Sequence, residues 1–167
     1  MVEETPHEVM QPAEIACQMA ICKAESVRHI HKNRWILGAD TIVAMNKRVF
    51  GKPKDSRDCH DMLLLLRGKN HRVITGFCII DPGGLKVHIE AVTTKVKIKE
   101  ISEIEIDAYI KTGEPFGKAG GYAIQGIGSF MIEHINGSYT NVVGLPVCEV
   151  VRALVECGGL KGFPLVE

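Results

Sequence analysis

One carboxylate and two amines carry the chemistry that this sequence suggests first. Asp40 sits inside an apolar run, with Trp35, Ile36, Leu37 and Ala39 before it and Ile42, Val43, Ala44 and Met45 after it. The run reads as one long strand or a buried strand pair. A carboxylate in that setting is costly unless a cation, a metal ion or several hydrogen-bond donors meet it. Lys52, just before Pro53, and Lys23, at the edge of the preceding helix, are the cations on offer. An Asp that merely ties a strand to a helix would need the same partner, so the pairing alone leaves function open.

A second stretch with chemical potential is rich in glycine, at 113, 117, 120, 121, 126 and 128, interleaved with Lys118, Tyr122 and Gln125. Such a loop brings backbone N–H groups close to a ligand, and Gln125 offers both a donor and an acceptor to a base edge. Thr93, Lys95, Lys97 and Lys99 share one strand face that could meet phosphates, although a solvated edge gives the same pattern. His29 and His31 read as loop histidines, since no third ligand lies at a useful spacing. Cysteines 17, 22, 59, 78, 148 and 157 form no C-x-x-C pair and read as reduced core thiols.

The elements that must position these residues follow from periodicity and caps. Pro12 opens a helix to about Val27, with Ile15, Met19, Cys22 and Ser26 on one stripe. After the Asp40 strand, Asn46-Lys47-Arg48 turns the chain back through Val49-Phe50 to Gly51, where close backbone approach is expected. Asp55 caps a Leu-rich helix that Gly68 closes. His71 to Ile80 and Leu85 to Lys99 are strands around the Asp81-Pro82-Gly83-Gly84 turn. Ser102 and Glu105 form a capping box. Ile127 to Ile135, Asn136-Gly137 and Ser138 to Val143 predict a hairpin. Pro146 starts a last helix with Val150, Val151, Leu154 and Val155 inward.

The 167 residues predict a single domain. Hydrophobic residues at 46% and charged ones at 24% suit a soluble globule. Twenty basic and twenty acidic side chains cancel, which argues against a general nucleic-acid or membrane surface. The apolar run Met62 to Leu66 is far below the roughly 18 residues of a membrane span. Met1 to Pro12 is acidic and proline-containing, unlike a signal peptide, so the cytoplasm is the expected compartment.

Six motifs in one order, Gly38-Ala39-Asp40-Thr41, Gly51-Lys52-Pro53, Thr112-Gly113-Glu114-Pro115, Lys118-Ala119-Gly120-Gly121-Tyr122, Ile124-Gln125-Gly126 and Asn141-Val142-Val143-Gly144-Leu145-Pro146, resemble the Maf family of nucleoside triphosphate pyrophosphatases. The resemblance runs from about Glu3 to the last helix. It implies an α/β, ITPase-like (Maf-like) fold over residues 1–167: a long mixed β-sheet flanked by helices, with a cleft between two lobes. It implies hydrolysis of dTTP or UTP to the monophosphate and pyrophosphate, with Asp40, Lys23 and Lys52 catalytic and Thr41 and Gln125 binding substrate. A divalent ion, Mg²⁺ or Mn²⁺, would be held by Asp40 and Glu4. A homodimer is expected. The family's usual opening strand and Ser-x-Ser-Pro-Arg-Arg loop have no counterpart here, so the chain reads as N-terminally shortened. The competing reading is a nucleotide-binding or interaction protein of the same fold without turnover.

Overall fold

The computed structural model describes residues 10–164, and Glu4 lies outside them. Helix α1 (Pro12–Arg28) precedes strands β1 (Ile36–Met45) and β2 (Arg48–Phe50), helix α2 (Ser56–Leu66), and strands β3 (Asn70–Ile80) and β4 (Lys86–Ile98). Then come α3 (Glu103–Lys111), two 3-10 turns at Ala119–Gly121 and Ile127–Met131, β5 (Ile132–Asn136), α4 (Tyr139–Val143) and α5 (Val147–Glu156). The strands form one sheet in the order β2-β1-β3-β4-β5. Every pairing among the described residues is antiparallel, where a mixed sheet was expected. The reason is topological: β2-α2-β3 is a crossover whose two strands run the same way, but β1 lies between them, so no parallel ladder forms.

Helix α1 covers one face of the sheet in an unusual way. Its buried residues are Ala16, Ala20 and Ala24, spaced by four, and the expected stripe of Ile15, Met19, Cys22 and Ser26 is not the seat; Met19 is 45% exposed. Two strand glycines explain the difference. A Cβ on Gly38 would lie 2.3 Å from the Ala20 carbonyl oxygen, and one on Gly76 would lie 2.3 Å from the Ala16 carbonyl carbon. Helix backbone therefore rests directly on sheet backbone, and only alanine fits between. Around this seat pack Ile36, Cys78 and Ile80 at one end and Ile42, Ala44 and Ile74 at the other.

The opposite face carries two separate apolar clusters. Helices α2 and α3 pack Leu63, Leu66, Ile106 and Tyr109 against Val43, Val73, Val96 and Ile98. Helix α5 packs Val150 and Ala153 onto Phe77 and Ile79. Val155, expected inside, is exposed because Ala153 supplies the turn that meets the sheet. Between the clusters lie the buried Thr75 and Asn141.

Local signals place most boundaries. Asp55 accepts from the Asp58 N–H at 2.8 Å, and Ser102 and Glu105 cap α3 reciprocally. The hairpin expected around Asn136-Gly137 does not form: β5 pairs with β4, and Ser138 then caps α4 by accepting from the Asn141 N–H. A serine three residues before a buried asparagine outweighs the turn dipeptide. Of the cysteines, Cys59 and Cys78 are buried, whereas Cys22 and Cys148 are exposed on outer helix faces and are not core thiols.

Gly76→Ala should unseat α1, costing about 3 kcal/mol of stability, or roughly 6–12 °C in Tm. Thermal and urea unfolding of the variant beside the parent check this.

Candidate active site

Alternation along β1 sets the site. Asp40 pairs in register with Gly76 and Thr41 with Thr75, so successive side chains leave opposite faces of the strand. Asp40 thus faces α1, and Thr41 faces the gap between the two clusters. β2 pairs only with Val43 to Met45, leaving the outer edge of β1 near Asp40 without a strand neighbour among the described residues. A cleft of about 760 Å³ wraps this edge. Lys23, Asp40, Thr41, Lys52 and Gln125 all line it.

The Lys23 ammonium lies 2.5 Å from Asp40 Oδ1 and donates to the Ala39 carbonyl at 3.1 Å. This is the cation that an aspartate in an apolar run required. Both partners keep solvent contact, with side chains 53% and 18% exposed, so the pair adds at most about 1 kcal/mol to stability. Two of the three ammonium protons are committed, and one remains for a ligand.

Lys52 follows β2 and stays exposed, with no ion-pair partner among the described residues. Close backbone approach was expected at Gly51, but a Cβ there would meet open space. The tight contact lies across from it: the Gly120 N–H donates to the Gly51 carbonyl at 3.0 Å, and Gly120, at φ 75°, faces Val43 within 3.1 Å of a notional Cβ. This one bond ties the Lys52 turn to the glycine-rich loop. Lys118, on that loop, is a third cation of the cleft that no role was assigned to from sequence. The β4 lysines stand elsewhere. Lys97, and Lys99 just beyond the strand, pair with Glu133 and Glu105, and no lysine from Lys86 to Lys99 lines the cleft.

The Thr41 hydroxyl lies 2.8 Å from that of Thr75 and donates to the Gly144 carbonyl at 3.3 Å, while Thr75 donates to the Asn141 carbonyl. Asn141 is fully buried and donates to the Val73 carbonyl and to Thr94 Oγ1. These bonds fix the Val142–Gly144 wall of the cleft. Sequence reasoning gave Thr41 a role but none to Asn141, whose partners are on strands far away in the chain.

Glu114 is the other residue missed. It accepts from the N–H groups of Ile127 at 2.8 Å and Gly128 at 2.7 Å. Burial pushes its pKa up, but the Gly128 and Ile127 bonds and the Tyr109 hydroxyl outweigh that and hold it below the ordinary value. Its spacing from those donors gave no local signal.

Tyr122 closes the cleft floor, its hydroxyl 2.6 Å from His71 Nε2. Burial pushes the His71 imidazole down to about 4 and the Tyr122 phenol up. His71 is therefore neutral at physiological pH.

Among the described residues no three His, Cys, Asp or Glu side chains converge as a metal cage. Of the two carboxylates on the cleft, both oxygens of Glu114 accept backbone N–H groups, and Asp40 Oδ1 faces Lys23. Asp40 Oδ2 is then the one carboxylate oxygen on the cleft with no partner among the described residues. That donor set fits Mg²⁺ or Mn²⁺, which are commonly held by one or two carboxylates with phosphates and water completing the shell.

With this arrangement in view, comparison with known proteins is specific. The family model for Maf-like proteins matches residues 1–157. The chain belongs to the Maf family. Its similarity extends to individual members: it is 48% identical over 163 residues to the dTTP/UTP pyrophosphatase of Syntrophotalea carbinolica, covering 96% of this chain and 73% of that one. The corresponding protein of Citrifermentans bemidjiense is 46% identical, with 95% and 82% covered, and that of Bacillus cytotoxicus is 44% identical, with 93% and 80% covered. The α/β layering of this Maf chain, a sheet with helices on both faces, is the Maf-like fold its motifs implied, with an antiparallel sheet in place of the mixed one.

Among the described residues of this Maf protein, no helix is long and apolar enough to cross a membrane.

The His71 shift makes stability depend on pH. Between about 6.5 and 4 the unfolded chain binds a proton that the folded chain refuses, so stability falls as pH falls through that window. From pH 7 to pH 5 the loss from this group is about 2 kcal/mol. Urea unfolding at the two pH values should show it, and His71→Asn should flatten the difference.

Proposed function

We propose that this Maf protein hydrolyses dTTP and UTP to the nucleoside monophosphate and pyrophosphate. The observation that carries the proposal is that one cleft gathers Lys23 paired to Asp40, Lys52 and Lys118 with no ion-pair partner among the described residues, and Gln125. Relatives named for this activity, 44–48% identical over nearly the whole chain, support it.

Three ammonium groups on one cleft suit a triphosphate, whose charge must be met wherever it grows during reaction. In the reading offered here a water attacks the α-phosphorus, the bond from that phosphorus to the bridging oxygen breaks, and pyrophosphate leaves with the bonding electrons. Asp40 Oδ2 takes the proton of the attacking water while Oδ1 stays against Lys23. Lys23 orients the carboxylate and turns its remaining N–H toward a phosphate oxygen. Lys52 stabilises charge on the leaving pyrophosphate. Gln125 reads the base edge, and Thr41 holds the wall against which the nucleoside rests. A divalent ion, Mg²⁺ or Mn²⁺, held by Asp40 and Glu4, would supply further charge neutralisation on the phosphates. The protein acts in the cytoplasm as a homodimer in this reading, and light scattering on the eluted protein tests the dimer.

Asp40→Asn keeps the shape of the side chain and removes its basicity. Pyrophosphate release from dTTP and UTP should fall about 10²–10⁴-fold in the variant with folding retained. Equal turnover in the two proteins would remove Asp40 as the base, and none in either would favour a nucleotide-binding protein without catalysis.

A further inference from the structure

Gln125 sits on a turn that no strand or long helix supports, yet a residue that reads a base edge must be held to within a fraction of an ångström. The turn is bracketed by hydrogen bonds on both sides of Gln125. Before it, the Ala123 N–H donates to the Tyr109 hydroxyl at 3.1 Å. After it, the Ile127 and Gly128 N–H groups donate to the two carboxylate oxygens of Glu114. The Tyr109 hydroxyl and Glu114 Oε2 both lie against Gly128, 2.6 and 3.1 Å from a notional Cβ there, so the two sides meet at one glycine.

Glu114 is itself anchored. Its N–H donates to Thr112 Oγ1 at 3.2 Å, and that hydroxyl donates to the Tyr109 carbonyl at the end of α3. The fit is close: Gly126, at φ 78°, lies so near that a Cβ there would overlap Glu114 Oε1. Each of its oxygens accepts one backbone N–H of the turn, so the carboxylate is engaged with the turn itself.

We propose that Glu114 is the positioning residue for Gln125, fixing the 123–128 turn and with it the preference of the cleft for a pyrimidine base. The proposal rests on the pyrophosphatase reading for its substrate, but not for its geometry. Position passes from α3 through Thr112 to Glu114, then across to Ile127 and Gly128, and so to Gln125. Asp40 and Lys23 lie on other elements, and Lys52 is linked to the loop at Gly120, outside the 123–128 turn.

Glu114→Gln preserves volume but turns an amide NH₂ toward one of the two N–H donors. The ratio of kcat/KM for UTP over GTP should fall at least tenfold, while kcat for UTP changes less than threefold. Combined with Gln125→Ala, which should itself lower the ratio, Glu114→Gln should add no further loss, because it acts through the same side chain. Hydrogen exchange at the Ile127 and Gly128 amides should quicken in the free variant. A ratio held within twofold, losses that add in the double variant, or unchanged amide exchange would each overturn the proposal, even if the variant melts earlier. Should Glu114→Gln not fold, Tyr109→Phe takes its place, with about a threefold loss expected and an unchanged ratio overturning the proposal. If the parent chain turns over neither UTP nor dTTP, the pyrophosphatase reading fails separately. Dissociation constants for the α,β-imido analogues of UTP and GTP then give the same ratio, and no preference in the parent would overturn the proposal.

Discussion

Direct backbone contact between α1 and the sheet, at Gly38 and Gly76, is the constraint on which the rest depends. It allows only alanine on the facing stripe of the helix, and it brings the helix axis nearer to the strands than larger side chains would allow. Lys23 lies one residue before Ala24, the last buried alanine, so its ammonium reaches both Asp40 and the Ala39 carbonyl without leaving the helix edge. A seat one side chain thicker would part them by several ångströms, since a helix packed through larger residues stands farther off. Stability and chemistry are therefore set by the same contact. The ion pair contributes little to the first because it is half in solvent, and its value lies in orientation.

The other side of the cleft is built by different means. Lys52, Lys118 and Gln125 stand on turns, and their order comes from hydrogen bonds: Gly120 to Gly51, and Glu114 to Ile127 and Gly128. Below them, the neutral His71 holds the Tyr122 hydroxyl at the floor. Buried polar bonds of this kind cost much when a partner is lost, because the group left behind is desolvated and unmet. Asn141 follows the same rule, fixing the third wall by two donated bonds from a side chain with no solvent contact.

Sequence reasoning found what local rules govern and missed what distance governs. The caps at Asp55 and Ser102 and the strand character of β3 and β4 were legible because the caps' partners lie within four residues and the strands show in local residue types. The need of Asp40 for a cation was legible because an apolar run prices a carboxylate highly, and Lys23 was one of two candidates named. The alanine stripe was not. Hydrophobicity ranks Ile15 and Met19 above Ala16 and Ala20, and nothing local reveals that glycines on two strands will require the smaller residues. Gly51 was read as a point of close approach by its type, whereas the geometry put that approach at Gly120. Thr41 came into view only through resemblance to a family, Gln125 also through its amide in a glycine-rich loop, and Glu114 stood in a quoted motif without a role, since its N–H partners lie 13 and 14 residues away.

The two sides of the cleft therefore differ in how firmly they are held. Lys23 and Asp40 ride on a 17-residue helix and the strand whose glycine contacts it, where displacement would break core packing. Lys52 and Lys118 ride on turns joined to each other by one backbone bond, and both side chains are exposed. A triphosphate reaching from one side to the other would meet a fixed base and an adjustable set of cations. That division suits the reaction proposed. The attacking water must be aligned with the α-phosphorus, which demands rigidity at Asp40, whereas leaving-group charge spreads over several oxygens and is met by ammonium groups that can follow it. Exchanging these properties, with a mobile carboxylate and fixed lysines, would keep the same residues in the same cleft and lose the alignment on which rate depends.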